Sequence, residues 1–344
     1  MNHSSDAAHA YARTSTYSSS SILKAGQELL VRCVDNHNGA RLIVVATTDD
    51  PACSERLQAQ FDLRQRLDRA WAAVPVELSR YAGRSALILS DPGGIPLADC
   101  LQQGFDVAAF LRIAEALAAA VSNSHAAGLV HGNLNPGDLL VDCAAGHCWL
   151  MGFAHCAHAE HLCETNASAG STAYRAPEQT GCVSSAIDAR TDIYALGCVF
   201  YEMLTGLPPS TPCAAAPARR AALVAPLSAC APGIPAQLAA IVIKMLARLP
   251  DERYQSVASL ASDLAQCRAR WHESGTLASF PLDLRSIGRR FKHPGKLYGR
   301  ASQLASLTAS FERVAASGKT EFTLLTGYSG SGKSALVASL AAQL

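Results

Sequence analysis

The stretch from His131 to Glu178 constrains this chain more than any other part of its sequence. It holds three ordered blocks, which read HGNLNPGDLLVD, WLMGFAHC and TAYRAPEQTG. An apolar run with the spacing of one buried helix face begins upstream at Val107, and a second apolar helix, TDIYALGCVFYEMLTG, follows. Within the blocks, LLVD and CWLM predict a short strand pair. The pattern predicts a helical lobe that carries an ordered loop and a small hairpin.

The segment before this lobe has a different pattern. ELLVRCV and RLIVVATT predict two strands around the turn sequence NHNG, and SALILS predicts a third. Between them, ERLQAQFDLRQRLDRAW predicts a helix. The region before about residue 90 is therefore rich in predicted strands. Residues 1–20 are rich in Ser, Thr and Ala, and we expect a disordered arm there.

Composition narrows the class of protein. The chain has 344 residues, of which 49% are hydrophobic and 17% charged, so it can form about two domains with sizeable cores. A formal net charge of +1 does not favour nucleic acid or an anionic membrane as a partner. The 12 cysteines show no framework spacing, and we find neither a signal peptide nor an apolar run of about 18 residues. We expect a reduced, cytoplasmic protein without a membrane span.

A second motif lies near the end of the sequence. Residues 272–296 lack periodicity and predict a linker, and 297–344 predict a helix (Ala301–Ala316), a strand (EFTLLT), the loop GYSGSGKS and another helix. The loop fits GxxxxGK[ST], in which backbone N–H groups cradle phosphates. Its predicted nucleotide-binding residues are Gly327, Gly330, Ser331, Gly332, Lys333 and Ser334.

This motif has a specific chemistry. Lys333 would reach the terminal phosphates and Ser334 would bind the metal, so the expected cofactors are ATP and Mg²⁺. The sequence stops ten residues after Ser334, so we interpret 297–344 as an incomplete α/β P-loop ATPase domain. One strand cannot bury both of its faces, so this segment alone is not expected to form a complete site.

The order and spacing of the three blocks resemble the catalytic core of protein kinases. The resemblance covers residues 21–271 and implies an α+β bilobal kinase-like fold, followed by the start of the P-loop domain. Its lobes are a small β-rich lobe over about 21–90 and a mostly helical lobe over about 91–271, with a hinge near Ser90–Gly94. It assigns structural roles to five residues that match the family's fixed positions: His131, Phe153, Glu178, Asp192 and Arg253. Glu178, in the block APE, is expected to pair with Arg253.

The positions that carry the family's chemistry hold other residues. Kinases use a lysine that anchors ATP, a glutamate that pairs with it, an aspartate that orients the attacking hydroxyl, and an asparagine and an aspartate that hold magnesium. By the resemblance these positions fall, in that order, at Ala46 or Thr47, at Gln60, at Asn133, at Asp138 and at Gly152. The catalytic-loop lysine is replaced by Asn135 and the HRD arginine by Gly132. We therefore interpret Asn133 and Asp138 as degenerate catalytic positions and doubt that the cleft holds magnesium.

Three functions remain open from the sequence. The combined arrangement is similar to the N-terminal part of large bacterial signalling proteins, in which a Ser/Thr-kinase-like domain precedes an AAA-type ATPase domain and sensor or histidine-kinase modules. The first hypothesis is a catalytically impaired kinase-like regulatory or input module that acts on other signalling domains or proteins. The second is an active Ser/Thr kinase with atypical catalytic residues, and the third is an ATP-driven switch that works through the P-loop. The sequence leaves the oligomeric state open.

Overall fold

The computed structural model describes residues 17–24, 29–35, 37–48, 50–153, 156, 172–183, 185–209, 233–283, 301–326 and 336. Contacts divide the chain into two units, 1–286 and 287–344. The first unit contains both lobes that the sequence predicts, and the second contains the helix that precedes the phosphate-loop motif.

An antiparallel five-stranded sheet forms the small lobe. Its strands are β1 (Tyr17–Lys24), β2 (Leu29–Asp35), β3 (Arg41–Ala46), β4 (Pro75–Tyr81) and β5 (Arg84–Ser90), in the spatial order β1-β2-β3-β5-β4. Successive side chains alternate between two apolar faces, so that Val31 and Val44 lie in one buried cluster and Leu30 and Ile43 in another. The predicted strands β2, β3 and β5 are confirmed.

Two of the small-lobe strands depart from the sequence prediction. Strand β1 begins at Tyr17, inside the segment 1–20 for which we predicted disorder, so that boundary was wrong; residues 1–16 lie outside the described part of the chain. Serine is not among the residues that favour strands. Pairing with β2 nevertheless satisfies the backbone N–H and C=O groups of YSSSSILK. Strand β4 was not predicted, because only its two ends are buried and its middle lacks a clear alternation.

The helix of the small lobe is shorter than predicted. Helix α1 (Pro51–Asp62) starts at the N-cap Asp50 and ends in a 3-10 turn at Leu63–Gln65, rather than continuing to Trp71. The chain turns extended here because Ala72 bridges Leu150 and the Ala73 N–H donates to the Leu150 carbonyl (3.0 Å). A contact with a distant strand therefore outweighs the local helical pattern.

A polar cluster joins the small lobe to the predicted hinge. Arg32 on β2 forms an ion pair with the fully buried Asp91 carboxylate (2.7 Å) and donates a hydrogen bond to the Gly94 carbonyl (2.8 Å). The Gly93 N–H donates to the same carboxylate (2.9 Å). Gly94, at φ +71°, lies so close to Val141 that an added Cβ would be 2.7 Å from the Val141 oxygen. The cluster therefore fixes the chain as it leaves the sheet.

Helices surround one large core in the second lobe. Its elements are β6 (Ile95–Pro96), α2 (Leu97–Cys100), α3 (Val107–Ala126), β7 (Leu139–Asp142), β8 (His147–Leu150), α4 (Ala189–Thr205), α5 (Ala236–Met245) and α6 (Val257–Ser274). Strands β6, β7 and β8 form a small antiparallel sheet. The predicted hairpin and the predicted helices α3 and α4 are confirmed.

Helix α3 is central to this lobe. Its buried residues include Phe110, Leu117 and Val121, and Phe110 packs edge-to-face on Phe200 of α4. By length and composition it is the one helix in the described part of the chain that could cross a membrane. Half of its apolar window is buried in this unit, as is typical of a core helix.

A proline turn and a glycine cap follow the last two helices of the lobe. Helix α5 ends at Met245, and Pro250 begins a separate 3-10 turn. Helix α6 runs to Ser274, three residues into the predicted linker 272–296, and Gly275 caps it in the left-handed conformation.

In the second unit, helix α7 (Ala301–Ser317) confirms the predicted helix. The strand predicted for EFTLLT does not form: residues 321–326 have no regular structure, and Phe322 and Leu324 are 87% and 72% exposed. A strand needs a neighbour to pair its backbone, and the described residues of this unit provide none. An ion pair between Arg313 and Glu321 closes the chain back onto α7.

Candidate functional site

The loop that begins at His131 is held by the carboxylate of Asp192. Asp192, on α4, is fully buried; its Oδ2 accepts a hydrogen bond from the His131 N–H and its Oδ1 accepts one from the Gly132 N–H, each at 2.8 Å. The His125 Nε2 lies 2.8 Å from Oδ2 as well. Three partners around a buried carboxylate compensate the loss of hydration. Asp192 therefore fixes the backbone at the start of the loop.

The His131 side chain continues this support into the core. It is fully buried, and its Nε2 lies 2.7 Å from the Met151 carbonyl oxygen. The imidazole contacts the Phe153 ring with 4.8 Å between centroids, and Phe153 in turn packs edge-on against Trp71. These contacts join the loop to the segment that follows β8. They give His131 and Phe153 packing roles at the positions that the resemblance named.

The polar residues of the loop bond to one another. The Asn135 Nδ2 donates to the Asn133 carbonyl (3.0 Å) and to the Asp138 Oδ2 (2.5 Å), and the Asn135 Oδ1 accepts from the Gly137 N–H (3.0 Å). Asn133 itself is half-buried, and its N–H donates to the His131 Nδ1 (3.3 Å). An amide at 133 cannot take up a proton as a carboxylate does. The loop keeps its shape but lacks a general base at this position.

Asp138 fills the space beside Gly152. A Cβ built on Gly152 would lie 2.8 Å from both the Cγ and the Oδ2 of Asp138, closer than side chains approach one another. Gly152 also has φ +77°, a conformation that residues with a side chain rarely adopt. Asp138 is only 8% exposed. The structure therefore brings together 138 and 152, the two positions that hold magnesium in kinases. The Asp138 carboxylate takes up space that a side chain at 152 would need.

The positions predicted for the ATP-anchoring lysine hold uncharged residues. Ala46, at the end of β3, and Thr47 beside it occupy the positions predicted for the lysine, and both are buried. The buried cluster on this face of the sheet is otherwise apolar, and it includes Val31, Val44 and Ile88. Gln60 on α1 is only 3% exposed and carries no charge to pair with a lysine. The described part of the small lobe thus lacks the ion pair that kinases use to hold ATP.

These residues do not fit the magnesium–ATP group that the fold implies. A magnesium ion in such a cleft takes oxygen ligands from two side chains together with phosphate oxygens. Here Gly152 supplies no ligand, and one Asp138 oxygen is already bonded to Asn135. We therefore derive no phosphoryl-transfer step through this cleft.

A bidentate ion pair anchors the far side of the lobe. The Arg253 Nη1 and Nη2 donate to the Glu178 Oε1 (2.7 Å) and Oε2 (2.8 Å), and both side chains are fully buried. Thr191 donates to the Glu178 Oε1 (3.0 Å), and the Arg253 guanidinium stacks on the Tyr194 ring at 4.8 Å. The predicted pairing of Glu178 with Arg253 is present in the structure. Fork-to-fork geometry of this kind fixes orientation as well as contributing energy.

Two contacts that the sequence did not predict connect the third block to the rest of the lobe. The Gln179 Nε2 donates to the Gly132 carbonyl (2.7 Å), and its Oε1 accepts from the Ala176 N–H (3.0 Å). Tyr174 donates from its hydroxyl to the Glu202 carboxylate (2.6 Å). Burial and this hydrogen bond raise the pKa of Tyr174, and burial raises the pKa of Glu202 although the hydrogen bond lowers it. The position of Gln179 next to the glutamate that was predicted to pair with Arg253 was the available signal for the first contact.

The phosphate-loop residues Gly327 to Ser334 lie outside the described part of the chain. Their nucleotide-binding roles, including the magnesium role of Ser334, therefore stay predictions from the motif.

A two-lobed unit with a hinge, a loop supported by a buried helix aspartate and a buried glutamate–arginine anchor defines the protein kinase fold. A protein kinase domain profile matches residues 85–263, just over half of the chain, and an AAA ATPase domain profile matches 296–344. The chain therefore belongs to the protein kinase family, and the predicted fold class is confirmed.

Similar proteins come from mycobacteria. The chain is 35% identical to the serine/threonine-protein kinase PknB of Mycobacterium tuberculosis over 154 residues, which is 43% of this chain and 24% of PknB. It is 29% identical to PknH of Mycobacterium bovis over 232 residues, 64% of this chain and 38% of that one. The chain thus spans about a quarter to two fifths of the length of these relatives.

The crystal structure of the PknI kinase domain of Mycobacterium tuberculosis covers 74% of this chain and 97% of its own, with a TM-score of 0.56 and 20% identity. This likeness concerns the fold alone.

Proposed function

We propose that the kinase-like unit is a regulatory or input module of a signalling protein and that it is catalytically impaired. The observation that carries the proposal is the occupation of the Gly152 side-chain volume by the Asp138 carboxylate. Phosphoryl transfer depends almost entirely on positioning and on compensation of phosphate charge. A cleft without a second carboxylate, without a general base at Asn133 and without a lysine at Ala46 or Thr47 provides neither.

The contacts that remain support a role through shape. Asp192 holds the loop backbone, Gln179 connects the third block to Gly132, and the Glu178–Arg253 pair fixes that block to the helices behind it. A conformational change in the segment around Gln179 would therefore alter the loop that begins at His131, because Gln179 bonds to Gly132. Such a chain of packed and hydrogen-bonded groups is the physical basis for coupling between surfaces.

The wider setting is part of the proposal. Fusion of a kinase domain to an AAA ATPase domain is supported by the two family matches. We infer a cytoplasmic, bacterial-type multidomain signalling protein of the kind that carries sensor or histidine-kinase modules, with other signalling domains or proteins as partners. The near-neutral charge supports protein partners over nucleic acid.

A phosphotransfer assay tests the impaired-kinase proposal. Purified protein is incubated with labelled ATP and either Mg²⁺ or Mn²⁺, with a generic protein substrate and without one. We expect no incorporation above that of a matched Asp138→Asn variant. Robust autophosphorylation that disappears in Asp138→Asn would overturn the proposal. It would instead favour an active Ser/Thr kinase with atypical catalytic residues, the activity named for the PknB and PknH relatives.

A second candidate function is an ATP-driven switch at the P-loop. The match of 296–344 to the AAA ATPase domain family favours it, together with the motif that ends in Lys333 and Ser334. In this reading ATP and Mg²⁺ bind there rather than in the kinase-like cleft. Nucleotide affinity measured on the longest available form of the protein should be lost in Lys333→Ala and retained in Lys319→Ala. Equal binding by the Lys333→Ala variant and the unchanged protein would count against the switch.

A further inference from the structure

Two thiols face each other beneath the small sheet of the large lobe. The Sγ atoms of Cys100 and Cys143 are 3.4 Å apart, although the two residues are separated by 43 positions in sequence. Both are free cysteines. Cys100 ends helix α2 and is buried, whereas Cys143 follows strand β7 and is partly exposed at the start of a turn. A disulfide needs its sulfur atoms at about 2.05 Å, so a small side-chain movement would close this pair.

The turn that carries Cys143 is well ordered. The Asp142 Oδ1 accepts from the N–H groups of Ala144 (3.0 Å) and Ala145 (2.9 Å), and the Gly146 N–H donates to the Asp142 carbonyl (2.8 Å). Strand β6, which leads into α2, pairs with β7 through Ile95 and Val141. The two sulfur atoms are therefore held close by backbone pairing on both sides and not by a chance approach of two loops.

The neighbourhood assigns different roles to the cysteines. Burial, followed by the contact with Cys143, raises the pKa of Cys100 to about 12, so that this thiol stays protonated at neutral pH. Cys148 on β8 is deeply buried, and burial raises its pKa as well. Oxidants react with the accessible member of such a group, because reactivity follows thiolate character and exposure. Cys143 is the member that solvent can reach.

We propose that Cys100 and Cys143 form a reversible redox site that takes a hydroperoxide as its oxidant. The Cys143 thiolate attacks the distal peroxide oxygen, which breaks the O–O bond, gives Cys143 sulfenic acid and releases water or an alcohol after protonation. The Cys100 sulfur then attacks the Cys143 sulfur, forming the S–S bond and releasing water as the Cys100 proton joins the departing hydroxide. In total two thiols are oxidised, one peroxide is reduced, and a dithiol reductant reverses the reaction.

The location of this site gives it a structural consequence. Strand β7 starts directly after Asp138, and β8 ends two residues before Gly152. A disulfide at Cys143 would tie the turn between these strands to helix α2 and so to the segment beyond the hinge. Oxidation would stiffen the hairpin whose other end carries Asp138 and Gly152. Such a cross-link also closes a long loop, the case in which a disulfide restricts the unfolded chain most.

The test uses the full chain, purified under reducing conditions and then exposed to hydrogen peroxide. Remaining thiols are blocked with N-ethylmaleimide, and non-reduced chymotryptic peptides are sequenced by mass spectrometry. We expect a cross-link between the peptides of Cys100 and Cys143 that disappears with dithiothreitol. Absence of this cross-link, or a Cys143–Cys148 bond in its place, would overturn the proposal.

Matched variants separate the roles. Cys143→Ser should abolish the cross-link, whereas Cys148→Ala, in the same hairpin, should retain it. In Cys100→Ser the sulfenic acid has no resolving partner, so dimedone labelling of Cys143 should increase severalfold over the unchanged protein. In Cys143→Ser, dimedone labelling of Cys100 to the level seen for Cys143 in Cys100→Ser would contradict the proposed order of attack.

Discussion

Asp138 and Gly152 share one volume, since a Cβ on Gly152 would lie 2.8 Å from the Asp138 Cγ. The loss of a carboxylate at 152 is therefore not an isolated change that a single substitution could reverse. The neighbouring Asp138 carboxylate lies in the place that a side chain at 152 would need, and a hydrogen bond from Asn135 holds it there. The cleft is consistent in its packing, although it lacks the groups for transfer.

The first prediction concerns this shared volume. Gly152→Ala should lower the free energy of unfolding by about 2–4 kcal/mol, because it adds a steric overlap to the cost of a positive φ. Gly206 has the same φ of +77° but open space around its Cα, so Gly206→Ala should cost only about 1 kcal/mol. Thermal unfolding of the two variants measures the difference. In the Asp138→Ala background the excess for Gly152→Ala should largely disappear; an unchanged excess would contradict the steric account.

The buried ion pair gives a second prediction. Glu178→Ala should destabilise the unit by about 3–5 kcal/mol, because it leaves the Arg253 charge buried without its carboxylate. The double variant Glu178→Gln with Arg253→Met should cost less than the sum of the single changes. Arg268→Ala breaks a more exposed pair with Glu115 and should change the melting temperature little. Additive losses in the double variant would show that the two residues do not act as a pair.

A third prediction follows from the support of the loop by Asp192. In Asp192→Asn one oxygen is replaced by an NH₂ group that faces donors, so the hydrogen bonds to His131 and Gly132 cannot both persist. Amide hydrogen exchange at these two residues should accelerate by roughly tenfold or more, as expected for a loss of about 1.5–3 kcal/mol. Asp263→Asn, which changes a buried acid bonded to Tyr254, is the control. Unchanged protection at 131 and 132 would refute the assigned role.

The fourth prediction is a pH dependence. Burial tends to raise the pKa of Asp188, but hydrogen bonds and charge from Arg190 outweigh it and lower the pKa below the ordinary 3.8. A carboxyl with a depressed folded pKa stabilises the fold above its unfolded pKa, and this contribution is lost as the pH falls through the folded pKa. Asp188→Asn should therefore lower the melting temperature at pH 7. The difference from the unchanged protein should shrink below about pH 4. A difference that stays constant down to acid pH would argue against this linkage.

The elements with the strongest periodicity could be predicted from the sequence. Helices α3 and α4 and the hairpin β7–β8 have clear apolar patterns, and the resemblance placed Glu178 opposite Arg253. Boundaries that depend on distant partners could not be predicted. Helix α1 ends early because Ala72 pairs with Leu150, and EFTLLT lacks a neighbouring strand in the described part of its unit. In both cases tertiary contacts decide what local propensity leaves open.

The candidate site was predictable in its chemistry and not in its geometry. The residue types at 133 and 152 already indicated missing groups. That the Asp138 carboxylate fills the space at Gly152 depends on how β7 and β8 pair, and no sequence pattern gives that distance. The bridge from Gln179 to the Gly132 carbonyl is likewise a product of the folded chain.

The Arg32 cluster has a mechanical consequence for the whole lobe pair. Arg32 binds both the Asp91 carboxylate and the Gly94 carbonyl. We therefore expect the sheet and the first residues after it to move as one rigid body. The Gly94 backbone lies close to Val141, so this segment contacts the β7–β8 hairpin, which begins directly after Asp138. Rotation of the small lobe would therefore transmit force to this hairpin through Gly94 and Val141, and the floor of the cleft would be the pivot of the motion.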